Sequence, residues 1–181
     1  LLTKELFGNP LQNYVLACGV FLAVLMGVPF LKTIVVRQLQ GLAGRTASDF
    51  DDLLVGLLKK VLRADVYFVT ALYLGTLSLT LPGGLENIFH ALFLIIVTIK
   101  AALVLEGITM YGLRKWTERR ELEDPTSAAM IKNATIIVRL GVWVGAVLFI
   151  LDNIGVNITA FVAGLGISGV AVALAAHAVL A

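Results

Sequence analysis

Charged residues and cysteine are scarce in this sequence. Asp, Glu, Lys and Arg make up only 14% of the 181 residues, whereas 59% of the residues are hydrophobic. Because a soluble domain carries roughly 25% charged residues, this composition excludes an ordinary soluble protein and predicts an integral membrane protein. The single cysteine, Cys18, lies in an apolar stretch. One cysteine excludes an intramolecular disulfide and a CxxC metal pair.

The sequence signatures of an enzyme are also missing. His90 and His177 lie far apart, and neither has a further ligand at the spacing that a metal site needs. Gly164, Gly166 and Gly169 match the GxGxxG pattern in letters only, since a dinucleotide site needs a strand before the pattern and a helix start within it. We therefore predict no enzyme, no cofactor, no metal site and no nucleic-acid partner.

Five apolar stretches are predicted to cross the membrane as helices, which satisfy their own backbone hydrogen bonds in lipid. They lie at about residues 11–36, 66–81, 85–113, 130–151 and 153–181. The predicted fold class is an all-α integral membrane protein with five transmembrane helices. The chain then divides into residues 1–65 (first span and its connection), 66–127 (second and third spans with a basic loop), 128–152 (fourth span) and 153–181 (fifth span).

Basic residues are confined to alternate connections between the spans. The connections at residues 82–87 and 152–157 carry no Lys or Arg. Because short cytoplasmic loops are rich in Lys and Arg, the N-terminus is predicted outside the cell and the C-terminus in the cytoplasm. The basic residues of the two cytoplasmic connections are Arg37, Arg45, Lys59, Lys60 and Arg63 in the first, and Arg114, Lys115, Arg119 and Arg120 in the second.

The first cytoplasmic connection is predicted to contain an amphipathic helix. Ser48 is its expected N-cap, and Asp49, Asp51 and Asp52 lie in the first turn, where the helix dipole favours acidic side chains. Hydrophobic residues then recur at three- and four-residue spacing up to residue 62. This helix either lies at the inner membrane surface or extends the second span into the cytoplasm.

The last apolar stretch has small residues on two faces of its predicted helix. At about 100° per residue, Val170, Leu174 and His177 share a stripe that small residues flank on both sides. Small faces let helices approach closely in lipid, so two of them suit a helix held between identical copies in a closed ring, with the stripe facing the axis. A tightly packed helix of a single-chain bundle is the alternative. The flanks are Gly166, Gly169, Ala173 and Ala176 on one side, and Gly164, Ser168, Ala171, Ala175 and Ala178 on the other.

Residues 155–177, GVNITAFVAGLGISGVAVALAAH, resemble the pore helix of the small-conductance mechanosensitive channel (MscS) family, most specifically over residues 163–176. The resemblance implies that Val170 and Leu174 form the two hydrophobic constriction rings of the pore. His177 stands where the family usually has Gln, and Ala178 stands where many members have the Gly at which the helix kinks. The packing residues that the resemblance implies are Gly164, Gly166, Gly169, Ala171 and Ala173.

The rest of the chain resembles the longer, multi-span members of that family in the segments SDFDDLLV, VTIKAALVLEGI and PTSAAMIKNATIIV. The resemblance implies a cyclic homo-oligomer, a heptamer, with a cytoplasmic domain beyond residue 181. It implies a channel that membrane tension opens to release ions and small solutes. The expected location is the cytoplasmic (inner) membrane of a bacterium, with membrane lipids as further partners.

Charged residues inside the predicted spans need an explanation of their own. Lys100 and Glu106 lie six residues apart on different faces of the third span, and Arg139 lies in the fourth. They bind lipid headgroups or form an ion pair that changes on opening; alternatively, the long basic side chains extend to the headgroups without a specific role. The candidate residues for lipid or tension coupling are Lys100, Arg114, Lys115, Lys132 and Arg139.

Two other functions are open on the sequence alone. A secondary transporter would hold its substrate among the third to fifth spans, marked by converging polar residues and internal repeats, and we find no convincing repeat. A structural membrane subunit would leave Val170 and Leu174 without a special role. His177 lines the inner pore mouth in the channel hypothesis and otherwise replaces a polar packing residue.

Overall fold

The computed structural model describes residues 5–6, 8–43, 49–121 and 125–180. A two-stranded antiparallel hairpin, β1 (Glu5–Leu6) and β2 (Asn9–Pro10), precedes a series of helices, which confirms the predicted all-α class of the membrane region. The helices are α1 (Leu11–Ala43), α2 (Asp49–Val61), α3 (Ala64–Thr76), α4 (Leu85–Glu121), α5 (Pro125–Asn153) and α6 (Thr159–Leu180).

Four helices of the described chain are long and apolar enough to cross a membrane, which fits an integral membrane protein. Their apolar segments are Leu11–Gln38, Leu85–Glu118, Thr135–Asn153 and Thr159–Ala178.

The predicted second span is shorter as a helix than the sequence indicates. α3 has only 13 residues, or about 20 Å of rise, and ends at Thr76 rather than near residue 81. The side chain of Asn9 explains this end: its amide donates to Thr80 O at 2.8 Å, and its Oδ1 accepts from Thr80 N at 2.7 Å. Asn9 thus pairs with the backbone of Thr80 as a neighbouring strand would, which draws that residue away from helical geometry.

α1, α3, α4 and α5 pack side by side in that order around a thin core of small and aromatic residues. Phe21 of α1 meets Phe68 of α3 edge-on at 5.9 Å, and Tyr73 of α3 stacks on Phe93 of α4 at 4.4 Å between ring centroids. Gly75 lets α1 and α3 approach closely, since a Cβ at this position would lie 3.2 Å from the carbonyl oxygen of Ala17.

The amphipathic helix is present as α2, separated from α3 by a break at Leu62 and Arg63. Arg63 is extended (φ −99°, ψ 173°), so α2 is a helix of its own and not a continuous extension of α3. It packs against α1 and α4. The predicted N-cap, Ser48, lies outside the described residues, as do the side chains of Asp49, Asp51 and Asp52.

Candidate functional site

The final helix, α6, has no extensive contact with any other described helix. Every side chain from residue 159 to residue 178 is exposed, including Val170 (62%) and Leu174 (67%). A Cβ placed on Gly164, Gly166 or Gly169 would meet no atom within 4 Å. The small faces of α6 therefore pack against nothing in the described chain, which disfavours the single-chain bundle.

The predicted stripe and flanks are all present on one unbroken helix. Val170, Leu174 and His177 lie in α6 within about 60° of one another at about 100° per residue. Ala171 and Ala173 are exposed on the flanks, as are the three glycines. On α6 the apolar stripe therefore lies between two flanks of small residues, and the stripe ends at the imidazole of His177.

The turn between α5 and α6 fixes where the final helix starts. Val156 N donates to Leu151 O at 2.9 Å across Gly155, whose φ of 93° is left-handed. This is the Schellman pattern of helix termination, in which glycine avoids the strain of a side chain. Asn157 Oδ1 then accepts from Thr159 N at 2.9 Å and provides a hydrogen-bond partner at the start of α6.

Lys100 has a partner on the neighbouring helix. Its Nζ lies 2.6 Å from Asp65 Oδ2, which joins α4 to the first turn of α3. The Lys100 side chain is largely buried at 14% exposed, whereas that of Asp65 is 50% exposed. The ammonium group is therefore neutralised by a carboxylate of the neighbouring helix and does not depend on lipid headgroups for a partner.

Glu106 joins α4 to α5 through two side chains. Arg139 Nε lies 2.6 Å from Glu106 Oε1, and Trp143 Nε1 donates to Glu106 Oε2 at 3.0 Å. The carboxylate is 16% exposed and Arg139 is 62% exposed, so the rest of the guanidinium faces outward. Because Lys100 and Glu106 lie on different faces of α4, their side chains contact different neighbouring helices, α3 and α5.

The remaining candidate coupling residues occupy the basic ends of α4 and α5. Arg114 and Lys115 are exposed, and Lys115 Nζ donates to Tyr111 Oη at 3.3 Å. Lys132 lies in α5, with its side chain outside the described part of the structure. Within the described residues, no group of three His, Cys, Asp or Glu side chains is arranged to hold a metal ion.

Comparison with known proteins identifies the segment that carries the resemblance. Residues 137–176, which run from α5 through most of α6, match the family model described as mechanosensitive ion channel, transmembrane helices 2/3. This match confirms the predicted resemblance to mechanosensitive channels in this segment. The apolar stripe and both small flanks lie within the matched segment, apart from His177 and Ala178.

Two curated relatives from Methanocaldococcus jannaschii extend the similarity to most of the chain. The large-conductance mechanosensitive channel MscMJLR is 27% identical over 183 aligned residues, 98% of this chain and 50% of that protein. The small-conductance mechanosensitive channel MscMJ is 27% identical over 181 aligned residues, 96% of this chain and 50% of that protein. The chain thus spans about half the length of these relatives. No solved structure matches it.

Proposed function

We propose that this MscS-like chain is the membrane-spanning part of a channel subunit that opens under membrane tension and passes ions and small solutes. The proposal rests on α6, which has exposed side chains from residue 159 to residue 178 and small residues on two faces. Most of this helix lies in the segment that matches the channel family. Both relatives are named mechanosensitive channels, which favours a channel over the secondary transporter.

In the proposed assembly, copies of α6 surround a common axis, with the flanks of each helix against the flanks of its neighbours. Head-to-tail contacts of this kind close into a ring, and the resemblance to MscS-like channels implies seven copies. Val170 and Leu174 then form two apolar rings that block ions by dewetting. His177 lies at the inner mouth, and a cytoplasmic domain follows the helix.

The proposed topology has five crossings, with the N-terminus outside and the C-terminus in the cytoplasm. The second crossing in this topology consists of α3 and the residues that follow it, 64–81. Both relatives are archaeal, so we assign the chain to the cytoplasmic membrane of a prokaryotic cell. A bacterial source stays a prediction.

Tension favours the open state in this proposal because that state has the larger area in the membrane plane. The α6 helices slide on their Gly and Ala flanks, where few side chains interlock. The outer helices transmit the movement of the lipid through the Glu106 link and the Gly155 turn. Lys100, Arg114, Lys115, Lys132 and Arg139 are the residues we propose to couple the bundle to lipid or to tension.

Patch-clamp recording from the reconstituted intact protein under graded suction tests the proposal. Currents that appear above a threshold of suction and grow with it are expected. Empty vesicles prepared in parallel provide the control. Substrate-dependent uptake without any tension-gated current would favour the transporter and overturn the channel.

A further inference from the structure

The final helix carries a single side chain that can bind a metal ion. Between Thr159 and Leu180, α6 contains no Asp, Glu, Lys, Arg or Cys, and His177 is its only ionisable residue. The imidazole is exposed and forms no hydrogen bond or ion pair with any other residue that the structure describes. The unprotonated nitrogen of a neutral imidazole is therefore available to a cation.

Helix geometry aligns this imidazole with the two residues of the proposed constriction. At about 100° per residue, the direction of His177 lies within about 20° of that of Val170 and about 60° from that of Leu174. At about 1.5 Å per residue, His177 lies roughly 4.5 Å beyond Leu174 along the helix. In the proposed ring, the imidazoles therefore project toward the same axis as the apolar side chains.

The small flanks of α6 bring the copies close enough for their imidazoles to meet. Helices that pack through Gly and Ala approach to about 8 Å between their axes. Seven helices at that spacing stand about 9 Å from the ring axis, which leaves about 7 Å between the axis and the inward Cα atoms. A histidine side chain fills most of this distance, so imidazoles of neighbouring copies come within reach of one ion.

A cluster of neutral imidazoles selects among metal ions. Imidazole nitrogen binds Zn²⁺ at about 2.0–2.1 Å and also suits Cu²⁺ and Ni²⁺, whereas Mg²⁺ and Ca²⁺ prefer oxygen ligands, which no carboxylate of α6 supplies. Within the described residues of one copy, no three metal-ligating side chains come together. Each copy supplies one imidazole, so the site exists only when copies assemble, and pore water completes the coordination.

We propose, on the premise of the ring assembly in the proposed function, that the His177 side chains of neighbouring copies form an inhibitory site for Zn²⁺ or a similar transition-metal ion. The site lies on the cytoplasmic side of the constriction. Opening moves the helices apart and separates the imidazoles, so the metal binds the closed ring more tightly than the open one. A ligand with this preference lowers the open population and raises the tension that opening requires.

Patch-clamp recording from the reconstituted intact protein, with metal on both sides of the membrane, tests the site. Zn²⁺ should shift opening to higher suction and lower the open probability at fixed tension, by up to about tenfold for each tenfold rise in concentration above the dissociation constant. The conductance of a channel that has opened should change much less. Mg²⁺ at the same concentrations should have no effect, because it prefers oxygen ligands.

Two histidine variants locate the effect. His177→Gln removes the metal ligand but keeps a polar side chain, so it should abolish the Zn²⁺ shift and retain the tension-gated current. His90→Gln is the matched control, because it removes the other histidine of the sequence, which lies in the second turn of α4 with its ring 6.0 Å from that of Tyr73. It should keep the Zn²⁺ shift.

The recordings distinguish failure of the metal site from failure of the channel. An unmodified protein that opens under tension and ignores Zn²⁺ would overturn the metal site and leave the proposed function standing. A Zn²⁺ shift that survives in His177→Gln would also overturn the site. A protein without tension-gated current in the absence of metal would overturn the proposed function instead, and spectroscopy would then decide on the metal site.

Electron paramagnetic resonance of bound Cu²⁺ gives a measurement that does not depend on gating. In the assembled protein without an affinity tag, the part of the spectrum that His177→Gln removes should show coupling to two or more imidazole nitrogens. Coupling to one nitrogen would mean that each imidazole binds alone and would overturn the shared site. Identical spectra of the two proteins would overturn it as well.

Discussion

α4 and α6 are both long apolar helices, yet they stand in opposite relations to the rest of the chain. α4 binds α3 through Lys100 and α5 through Glu106, and Ala102 at its centre is only 3% exposed. α6 has every described side chain from 159 to 178 exposed. Hydropathy does not distinguish these helices, whereas the two small faces of α6 do. Those faces indicate contacts that the folded chain by itself does not make.

Substitution of one glycine in the packed bundle and one in α6 tests this difference most directly. Gly75→Leu should destabilise the chain by about 3 kcal/mol, because its Cβ would lie 3.2 Å from a backbone carbonyl of α1 that cannot move aside. Gly169→Leu should leave the fold of the chain intact, since nothing lies within 4 Å of that Cβ, and should prevent ring assembly. Thermal unfolding and the mass of the purified oligomer separate the two effects.

Gly112→Leu is the control for side-chain size, because this glycine of α4 also has open space around it. It should leave the oligomer mass unchanged and should not lower the unfolding temperature, because leucine favours the helix over glycine. A Gly169→Leu protein that assembles as the unmodified protein does would show that the smooth flanks of α6 are not contact surfaces.

The apolar stripe of α6 can be tested against the opposite face of the same helix. Leu174→Ser should wet the proposed constriction and raise the open probability at a given tension about tenfold, which corresponds to about 1.4 kcal/mol. Val172→Ser makes a similar change on an exposed residue about 160° away around the helix and should leave gating nearly unchanged. Single-channel recording under suction measures both, and equal effects of the two substitutions would contradict the assignment of the pore face.

The Glu106 link predicts a coupling between α4 and α5. Glu106→Gln should cost about 1 kcal/mol, because the pair is charge-assisted but Arg139 is 62% exposed and solvent screens it. Arg139→Gln should add little once Glu106 has been replaced, since the two side chains share one interaction. A double-mutant cycle on unfolding free energies gives the coupling energy. If the losses of unfolding free energy were strictly additive, the contact between Glu106 and Arg139 would contribute nothing to stability.

Hydrophobic length and charge placement were enough to predict the all-helical membrane fold and the amphipathic α2. The early end of α3 was not predicted, because it depends on Asn9, which pairs with Thr80 across 71 residues. The partners of Lys100 and Glu106 were missed for the same reason, since Asp65 and Arg139 lie 35 and 33 residues away in sequence. The charges themselves were visible, and matching opposite signs between neighbouring spans was the signal that could have paired them.

Substitutions at two glycines of α4 test how closely α2 packs against α4. Gly112→Ala should stabilise the protein by roughly 0.5–1 kcal/mol, because alanine favours the helix and the added methyl group meets nothing. Gly107→Ala gains the same propensity but puts its Cβ 2.5 Å from Leu57 Cδ2, so that side chain must move. We expect the gain at Gly107 to be smaller than at Gly112 or to reverse. Because the contacted atom is the flexible end of a leucine, Gly107→Ala should recover its gain in a Leu57→Ala background. Chemical denaturation of the unmodified protein, the three single variants and the double variant measures the difference.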